Sequence, residues 1–341
     1  MILDDKKINL LFNFWLNISL FLVFSIIVIG GLTRLTNSGL SITEWELFKG
    51  ILPPLNINEW TVYFNEYKKI PQYELLNSNM NLAEFKIIFY WEYIHRMLAR
   101  FIGLFFLLPL IYFYFSKKIN KKYLKSCYLI MMLIIFQGFI GWYMVKSGLV
   151  DDVTVSHYRL SLHLITAFII FSTIYWLIKN LSMKKNKSFF KFSKDNFPFQ
   201  ILILIIFLQI IMGAFVSGLD AGLIYQTWPL MNENYFPNDF QILKLKDFFQ
   251  FDSHSLVQFY HRNLAYFLIF YTLCLTFLII KKKISHLYKS IRILLSVLLL
   301  QVVLGIFTLI SGLNILLASA HQIVSVLLVL SALNLYYLKT K

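Results

Sequence analysis

Charged residues and cysteines are both scarce in this 341-residue chain. Charged residues make up 14% of it, whereas soluble domains carry about 25%. The two cysteines, Cys127 and Cys274, stand far apart in the sequence and form no CxxC motif. These deficits argue against a soluble domain and against a cysteine-based metal or redox site, and they indicate a membrane protein.

Long apolar segments make up much of the rest of the chain. Hydrophobic residues account for 58% of it and aromatic residues for 18%. A helix needs about 20 apolar residues to cross a bilayer. Eight segments of this kind are present, at residues 14–33, 88–115, 123–145, 160–180, 197–219, 259–280, 290–312 and 315–338. We therefore predict an all-α membrane protein with eight transmembrane helices in the lipid bilayer, the first of them retained rather than cleaved as a signal peptide.

Positive charge is concentrated in a few of the predicted connections. The net charge is +15, and the lysines cluster at residues 117–125, 179–194 and 281–292 and near both termini. Positively charged loops stay in the cytoplasm, so this distribution predicts that the N- and C-termini are both cytoplasmic. The charge reports membrane topology and gives no indication of nucleic-acid binding.

Glycine and glutamine residues of the first half return in the second half. Two sets recur at identical spacing: Gly30 and Gly39 as Gly213 and Gly222, and Gln137, Gly141 and Gly148 as Gln301, Gly305 and Gly312. Two such coincidences predict a duplication. We expect two parallel four-helix-bundle repeats. The N-terminal half covers residues 1–185, with a long outer loop at 35–87, and the C-terminal half covers residues 186–341.

Four histidines stand near the predicted outer ends of the even-numbered helices. They are His95, His163, His261 and His321, two in each half. Imidazole is a common axial ligand of haem iron, and helix bundles place such ligands on facing helices. Zinc would require three or four ligands that converge on one point. Two sites of two histidines each therefore favour two haems as metal centres, both near the same face of the membrane.

The two halves differ in one acidic residue. Glu92 precedes His95 by one helical turn, and the matching place before His261 is Gln258. A carboxylate near the membrane edge is costly and usually functional. We favour a catalytic role for Glu92; a structural acid, paired with Arg96 or with the helix dipole, is the alternative.

Arginines accompany the histidines in both halves. They are Arg96, Arg100, Arg159 and Arg262. Haem carries two propionates, and a guanidinium pairs with a carboxylate in forked geometry. We expect these arginines to bind the cofactor; for Arg96 and Arg262, anchoring at the membrane interface is the alternative.

The chain resembles the haem A synthase family. The resemblance extends over nearly the whole chain and is carried by Gly30-Gly31-Leu32-Thr33-Arg34, Glu92-Tyr93-Ile94-His95-Arg96, Gln137-Gly138, His163-Leu164, Gly218-Leu219-Asp220-Ala221-Gly222, Trp228-Pro229, His261-Arg262 and His321-Gln322. Some members carry a cysteine pair in the first outer loop. This chain has none there, so it is similar to the proteobacterial and mitochondrial branch.

The resemblance implies an oxidoreductase that acts on a CH group of haem O. A ring methyl would be oxidised through an alcohol to the formyl group of haem A, for cytochrome oxidase assembly. His95 and His163 would hold the substrate haem beside Glu92, and His261 and His321 would hold a haem b cofactor. Glu92 would stabilise a cationic carbon or accept a proton, and the sequence leaves both roles open.

The resemblance also implies partners and a location. The haem O synthase, a farnesyltransferase, would hand over the substrate, and a membrane or soluble electron donor would serve the reaction. We expect a multi-pass protein of the cell inner membrane with its haem sites near the periplasmic face. The alternatives are a di-haem b quinol oxidoreductase that leaves haem unmodified and, more remotely, a transporter without haem.

Overall fold

The computed structural model describes residues 6–44, 49–149, 154–239 and 244–340. Within these ranges the β-structure is confined to an isolated bridge between Met231 and Asn234. Ten α-helices follow one another: α1 Lys6–Leu35, α2 Ile57–Tyr67, α3 Pro71–Leu76, α4 Leu82–Ser116, α5 Lys121–Gly148, α6 His157–Ser182, α7 Phe197–Gly218, α8 His254–Lys281, α9 Tyr288–Ile310 and α10 Ile315–Lys339.

Eight of these helices, α1 and α4 to α10, are long and apolar enough to cross a membrane. Hydrocarbon offers the backbone no hydrogen-bond partners, so an apolar stretch satisfies its own N–H and C=O groups by forming a helix. Many large apolar side chains on these helices are exposed, for example Phe14, Phe21 and Leu316. Such faces suit contact with lipid. The predicted all-α membrane fold with eight spanning helices is confirmed.

The chain forms two compact units, Met1–Ile174 and Tyr175–Lys341. In the first unit, α1 packs along α4. The indole of Trp15 lies between them, with its ring centroid 4.7 Å from that of Phe106, and its Nε1 donates to the carbonyl of Phe105 at 3.0 Å. Lipid tails are as apolar as these side chains, so close packing, rather than removal from water, holds such helices together.

A small cap on the N-terminal end of α4 forms the rest of the first unit. Its core joins Trp60, Phe64 and Tyr67 of α2 to Phe85 and Phe89 of α4. The rings of Phe64 and Phe85 are stacked with centroids 5.0 Å apart. Burial raises the pKa of the Tyr67 hydroxyl. The cap therefore has a hydrophobic core of its own.

The N-terminus of α4 is fixed by a capping box. The Asn81 side chain accepts hydrogen bonds from the backbone N–H groups of Ala83 and Glu84. The Glu84 carboxylate accepts in return from the Asn81 N–H at 2.9 Å. The sequence spacing of Asn81 and Glu84 predicts this arrangement. The box gives α4 a defined first turn next to the core of the cap.

In the second unit, α7 packs against α8 and α10, and α9 packs against α10. The segment after α6 is tied to the end of α10. Lys187 Nζ donates to the carbonyls of Tyr337, at 2.8 Å, and of Thr340. Its backbone N–H donates to Asn180 Oδ1 at 3.0 Å. A cation at the C-terminal end of a helix also interacts favourably with the helix dipole.

Candidate functional site

The first histidine pair lies in the first unit, on α4 and α6. The rings of His95 and His163 have centroids 6.4 Å apart and planes inclined at 71°. Each ring lies against a glycine of a neighbouring helix. A Cβ at Gly30 of α1 would stand 3.2 Å from His95 Nε2, and one at Gly141 of α5 would stand 3.1 Å from His163 Cε1. Glycine at these places leaves room for the imidazoles.

The second pair, His261 of α8 and His321 of α10, lies in the second unit and repeats this pattern. A Cβ at Gly213 of α7 would stand 3.1 Å from His261 Cε1, and one at Gly305 of α9 would stand 2.9 Å from His321 Cε1. All four histidines are therefore seated against glycines of the preceding membrane helix, which supports the predicted duplication.

Glutamines on the same helices contact three of the four histidines. Gln137 Nε2 donates to the His163 carbonyl at 2.9 Å, and Gln209 Nε2 donates to the His261 carbonyl at 3.0 Å. Gln301 Nε2 lies 3.3 Å from His321 Nε2. The sequence analysis used Gln137 and Gln301 as markers of the repeat, and Gln137 also as part of the family resemblance, but it assigned neither a contact with a histidine, and it missed Gln209. The available signal was the pattern Gln-x-x-x-Gly, which occurs on α5, α7 and α9.

Glu92 is buried and ion-paired with Arg96. Its side chain is 3% exposed, and Arg96 Nη2 donates to Oε1 at 2.6 Å. Arg96 Nε donates to the same oxygen at 3.0 Å. Oε2 accepts from Ser41 Oγ at 2.7 Å and from the Ile42 N–H at 2.8 Å. A carboxylate offers about four lone-pair sites, and four donors use them here.

These contacts join the segment after α1 to α4. Arg96 also donates to the carbonyls of Ile42, at 2.8 Å, and Glu44, at 3.3 Å. We call Glu92, Arg96, Ser41 and Ile42 the clasp. It closes the cap over the turn of α4 that precedes His95. The ion pair that the sequence analysis gave as an alternative for Glu92 is therefore present, and a catalytic role remains a proposal.

A similar clasp in the second unit uses an amide in place of the acid. Gln258 Nε2 donates to the Tyr225 carbonyl at 3.0 Å, and Arg262 Nη2 donates to the same oxygen at 2.9 Å. Tyr225 stands as far after Gly222 as Ile42 stands after Gly39. Equivalent positions of α4 and α8 thus bind equivalent residues in the segments that follow α1 and α7. Both clasps hold a loop against a helix. The first does so with a carboxylate and the second with an uncharged amide.

Two further arginines of the first unit, Arg100 and Arg159, lie on the helices that carry the first histidine pair. Arg100 is one turn beyond Arg96 on α4 and lines a small pocket with Arg96, Tyr93 and Ile42. Arg159 is one turn before His163 on α6, with its guanidinium carbon 5.1 Å from the ring centroid of Tyr143. Arg100 thus stands five residues after His95, and Arg159 four residues before His163. Their role in cofactor binding stays a prediction.

Buried polar atoms near both histidine pairs test whether haem fits. Arg159 Nη1, His163 Nδ1 and Arg262 Nε are buried, and no hydrogen-bond partner for them occurs in the described part of the chain. Leaving such an atom unpaired costs about 1–3 kcal/mol. Haem would bring iron for imidazole and propionates for the guanidinium groups. The glycine seats and these atoms fit that ligand.

The described residues contain no group of three or more His, Cys, Asp or Glu side chains that could hold a metal ion. A structural zinc site requires such a group. What these residues do provide is two histidines in each unit, each against a glycine of a neighbouring helix, and two imidazoles are a ligand set that suits haem iron. The side chains therefore suit haem better than zinc.

Comparison with known proteins gives a consistent result over the whole chain. Residues 13–333 match the family model described as cytochrome oxidase assembly protein. The chain is 50% identical over 336 residues to the haem A synthase of Pelagibacter ubique, with 98% of each chain covered. It is 41% identical to the haem A synthase of Flavobacterium psychrophilum, covering 92% of this chain and 94% of the relative. The haem A synthase of Rickettsia canadensis is 41% identical, covering 95% and 96%.

Proposed function

The chain belongs to the haem A synthase family, and on that premise we propose that it oxidises the ring methyl of haem O, through an alcohol, to the formyl group of haem A. The observation that carries the proposal is the asymmetry of two otherwise similar sites. Each unit seats two histidines against glycines. In the first unit the clasp contains the Glu92 carboxylate, and in the second it contains the uncharged Gln258.

In this proposal the two histidine pairs have different tasks. His95 and His163 hold the substrate haem O in the first unit, and His261 and His321 hold haem b in the second. Haem b, when bound, supplies an electron-transfer centre. The asymmetry supports this division, because a negative charge next to one ligand is useful where bonds change and unnecessary where an electron only passes.

Glu92 acts in this proposal as a fixed negative charge beside the reacting methyl. Its four donors hold both oxygens in place, and a charge that needs no reorganisation stabilises positive charge developing on carbon. Acting as a proton acceptor would require one of the four donors to leave. The sequence leaves two roles open for Glu92, stabilising a cationic carbon and accepting a proton. The contacts therefore favour the first.

The arginines with unpaired nitrogens bind the propionates in this proposal. Arg159 serves the first site and Arg262 the second, because each has a buried nitrogen that lacks a partner among the described residues. Arg100 is close to the first site and shares its pocket with Arg96. Arg96 contributes chiefly through the clasp, since its guanidinium already binds Glu92 and two loop carbonyls.

The proposal includes a membrane orientation and partners. The lysine-rich connections at 117–125, 179–194 and 281–292 support cytoplasmic placement of those loops and of both termini. Both haem sites then lie near the periplasmic face of the inner membrane. The haem O synthase supplies the substrate, and a membrane or soluble electron donor completes the reaction.

Identification of the haems after expression tests the proposal. The chain is expressed with a haem O source in a host that lacks its own haem A synthase, and the haems are extracted and identified by mass spectrometry. Haem A or its alcohol precursor is the expected product. Recovery of haem O and haem b without either product would contradict the proposal and would favour the di-haem quinol oxidoreductase.

A further inference from the structure

One of the four histidines is held differently from the other three. His163, His261 and His321 each contact a glycine and a glutamine that stand one turn apart on the same neighbouring helix. His95 also contacts a glycine, Gly30 of α1, but the residue one turn before Gly30 is Ile26. An isoleucine offers no hydrogen bond. His95 therefore has the glycine seat without the amide.

The glutamines fix the histidines that they contact. Gln137 and Gln209 bind the backbone carbonyls of His163 and His261, and thus hold the backbone of the ligand itself. Gln301 holds its partner from two sides, because His321 Nδ1 also donates to the Gln301 carbonyl at 3.1 Å. The contact at His321 Nδ1 orients the imidazole itself, as a partner behind a metal-binding histidine does. Gln137 and Gln209 restrict the backbone that carries His163 and His261.

The ring of His95 is also turned differently against its glycine. The atom nearest to a Cβ at Gly30 would be His95 Nε2, followed by Cδ2. At Gly141, Gly213 and Gly305 the nearest atom is Cε1 of the histidine, followed by Nδ1. The missing amide and the different ring edge thus occur at the same histidine. Both distinguish His95 from its partner His163 in the same site.

We infer that His95 is the exchangeable ligand of the substrate haem, that His163 is the fixed ligand, and that Ile26 in place of glutamine makes the difference. The inference rests on the proposed function, since an enzyme that modifies a haem has to admit the substrate and release the product. A ligand that is not pre-organised pays an ordering cost each time it binds. The site in the second unit keeps its haem b, and both of its histidines have the amide.

Haem release from purified full-length protein tests this inference. Protein in nanodiscs is loaded with haem O under anaerobic conditions without an electron donor, and transfer of each haem to apomyoglobin is followed by absorption and mass spectrometry. Ile26→Gln should slow the release of haem O by about 2- to 12-fold, which is the net effect of one hydrogen bond. Release of haem b from the same molecules should stay unchanged, and Ile26→Leu should behave like the unaltered chain.

Two further variants test the same idea from the opposite side. Gln137→Ile removes the amide from His163 and should speed the release of haem O. Gln209→Ile removes it from His261 and should speed the release of haem b alone. Equal release of haem O from the Ile26→Gln and Ile26→Leu proteins would overturn the inference, as would a Gln137→Ile protein with unaltered release. Retained haem b shows that the Ile26 and Gln137 variants are folded, and retained haem O shows the same for Gln209→Ile.

The two proposals fail in different ways. Release is measured on haem O that has not been converted, so its rate is independent of catalysis. A chain that shows the expected release pattern but forms no haem A would contradict the proposed oxidation and leave the ligand assignment standing. Suppose instead that the chain forms haem A but that Ile26→Gln, Gln137→Ile and Gln209→Ile all release haem at the unaltered rate. That result would contradict the ligand assignment alone. A chain that takes up no haem O would contradict both.

Discussion

Glu92→Ala should open the cap above the first histidine pair. The substitution removes a buried acceptor from four donors and deprives the Arg96 guanidinium, which is 12% exposed, of the Glu92 carboxylate. Removing one partner of a buried ion pair costs about 3–5 kcal/mol. Ser41 Oγ and the Ile42 N–H also lose their acceptor. The segment after α1 would then be held to α4 mainly by the apolar contacts of Leu40 and Ile42 in the cap core.

Limited proteolysis measures this opening directly. Lys69 lies at the end of α2 with its side chain 67% exposed, so trypsin should cleave there once the cap opens. If cleavage follows the population of the open cap, 3–5 kcal/mol corresponds to an increase of about 150- to 5,000-fold in rate. The cleaved bond is identified by mass spectrometry. Cleavage at the rate of the unaltered protein would refute the view that the clasp holds the cap.

Glu92→Gln separates the structural role from the catalytic one. A glutamine at this place can donate to the Ile42 carbonyl as Gln258 donates to the Tyr225 carbonyl, so the cap should open far less than in Glu92→Ala. Conversion of haem O should nevertheless fall by about 10²- to 10³-fold, the usual cost of losing one electrostatic stabiliser, while haem O stays bound. Conversion at the unaltered rate with an intact cap would show that the charge has no catalytic role.

Four further substitutions test the individual sites, each with haem content or affinity as the measurement. His261→Ala should lose haem b and keep haem O, whereas His95→Ala should do the reverse; full haem b content in His261→Ala would sink the assignment of the second site. Gly141→Ala places a Cβ 3.1 Å from His163 and should weaken haem O binding by about 5- to 150-fold, the cost of overpacking; Gly138→Ala, with open space around it, is the matched control. Arg159→Ala should weaken haem O binding by about 10- to 150-fold through the loss of a charged hydrogen bond, with Arg159→Lys less affected; equal affinity in all three proteins would exclude propionate binding by Arg159.

The helices could be predicted from the sequence because their causes are local. Apolar segments of bilayer length have few alternatives to a helix, and the eight predicted segments all lie within described helices or extend past their ends by a few residues. The start of α4 at Leu82 follows from Asn81 and Glu84, which are three residues apart. Features that depend on neighbouring residues in the sequence were therefore accessible.

The site could be predicted only in part because its contacts join distant positions. The clasp connects Glu92 to Ser41 and Ile42 across the whole cap, and one of the Ile42 contacts is made by a backbone N–H that has no sequence signature. The ion pair with Arg96 was accessible, since Arg96 lies one turn further along the same helix. Spacing alone could not show that Glu92 meets all of these donors at once.

The length of α4 has a mechanical consequence for the substrate site. The helix has 35 residues, or about 52 Å at 1.5 Å per residue, against a hydrocarbon thickness of about 30 Å. Phe85 in the cap core and Glu92 in the clasp lie on the same unbroken helix as His95. A protein that docked on the cap and tilted this helix would move His95, the proposed haem ligand, without touching it, and such a movement would couple substrate delivery to ligand release through one helix.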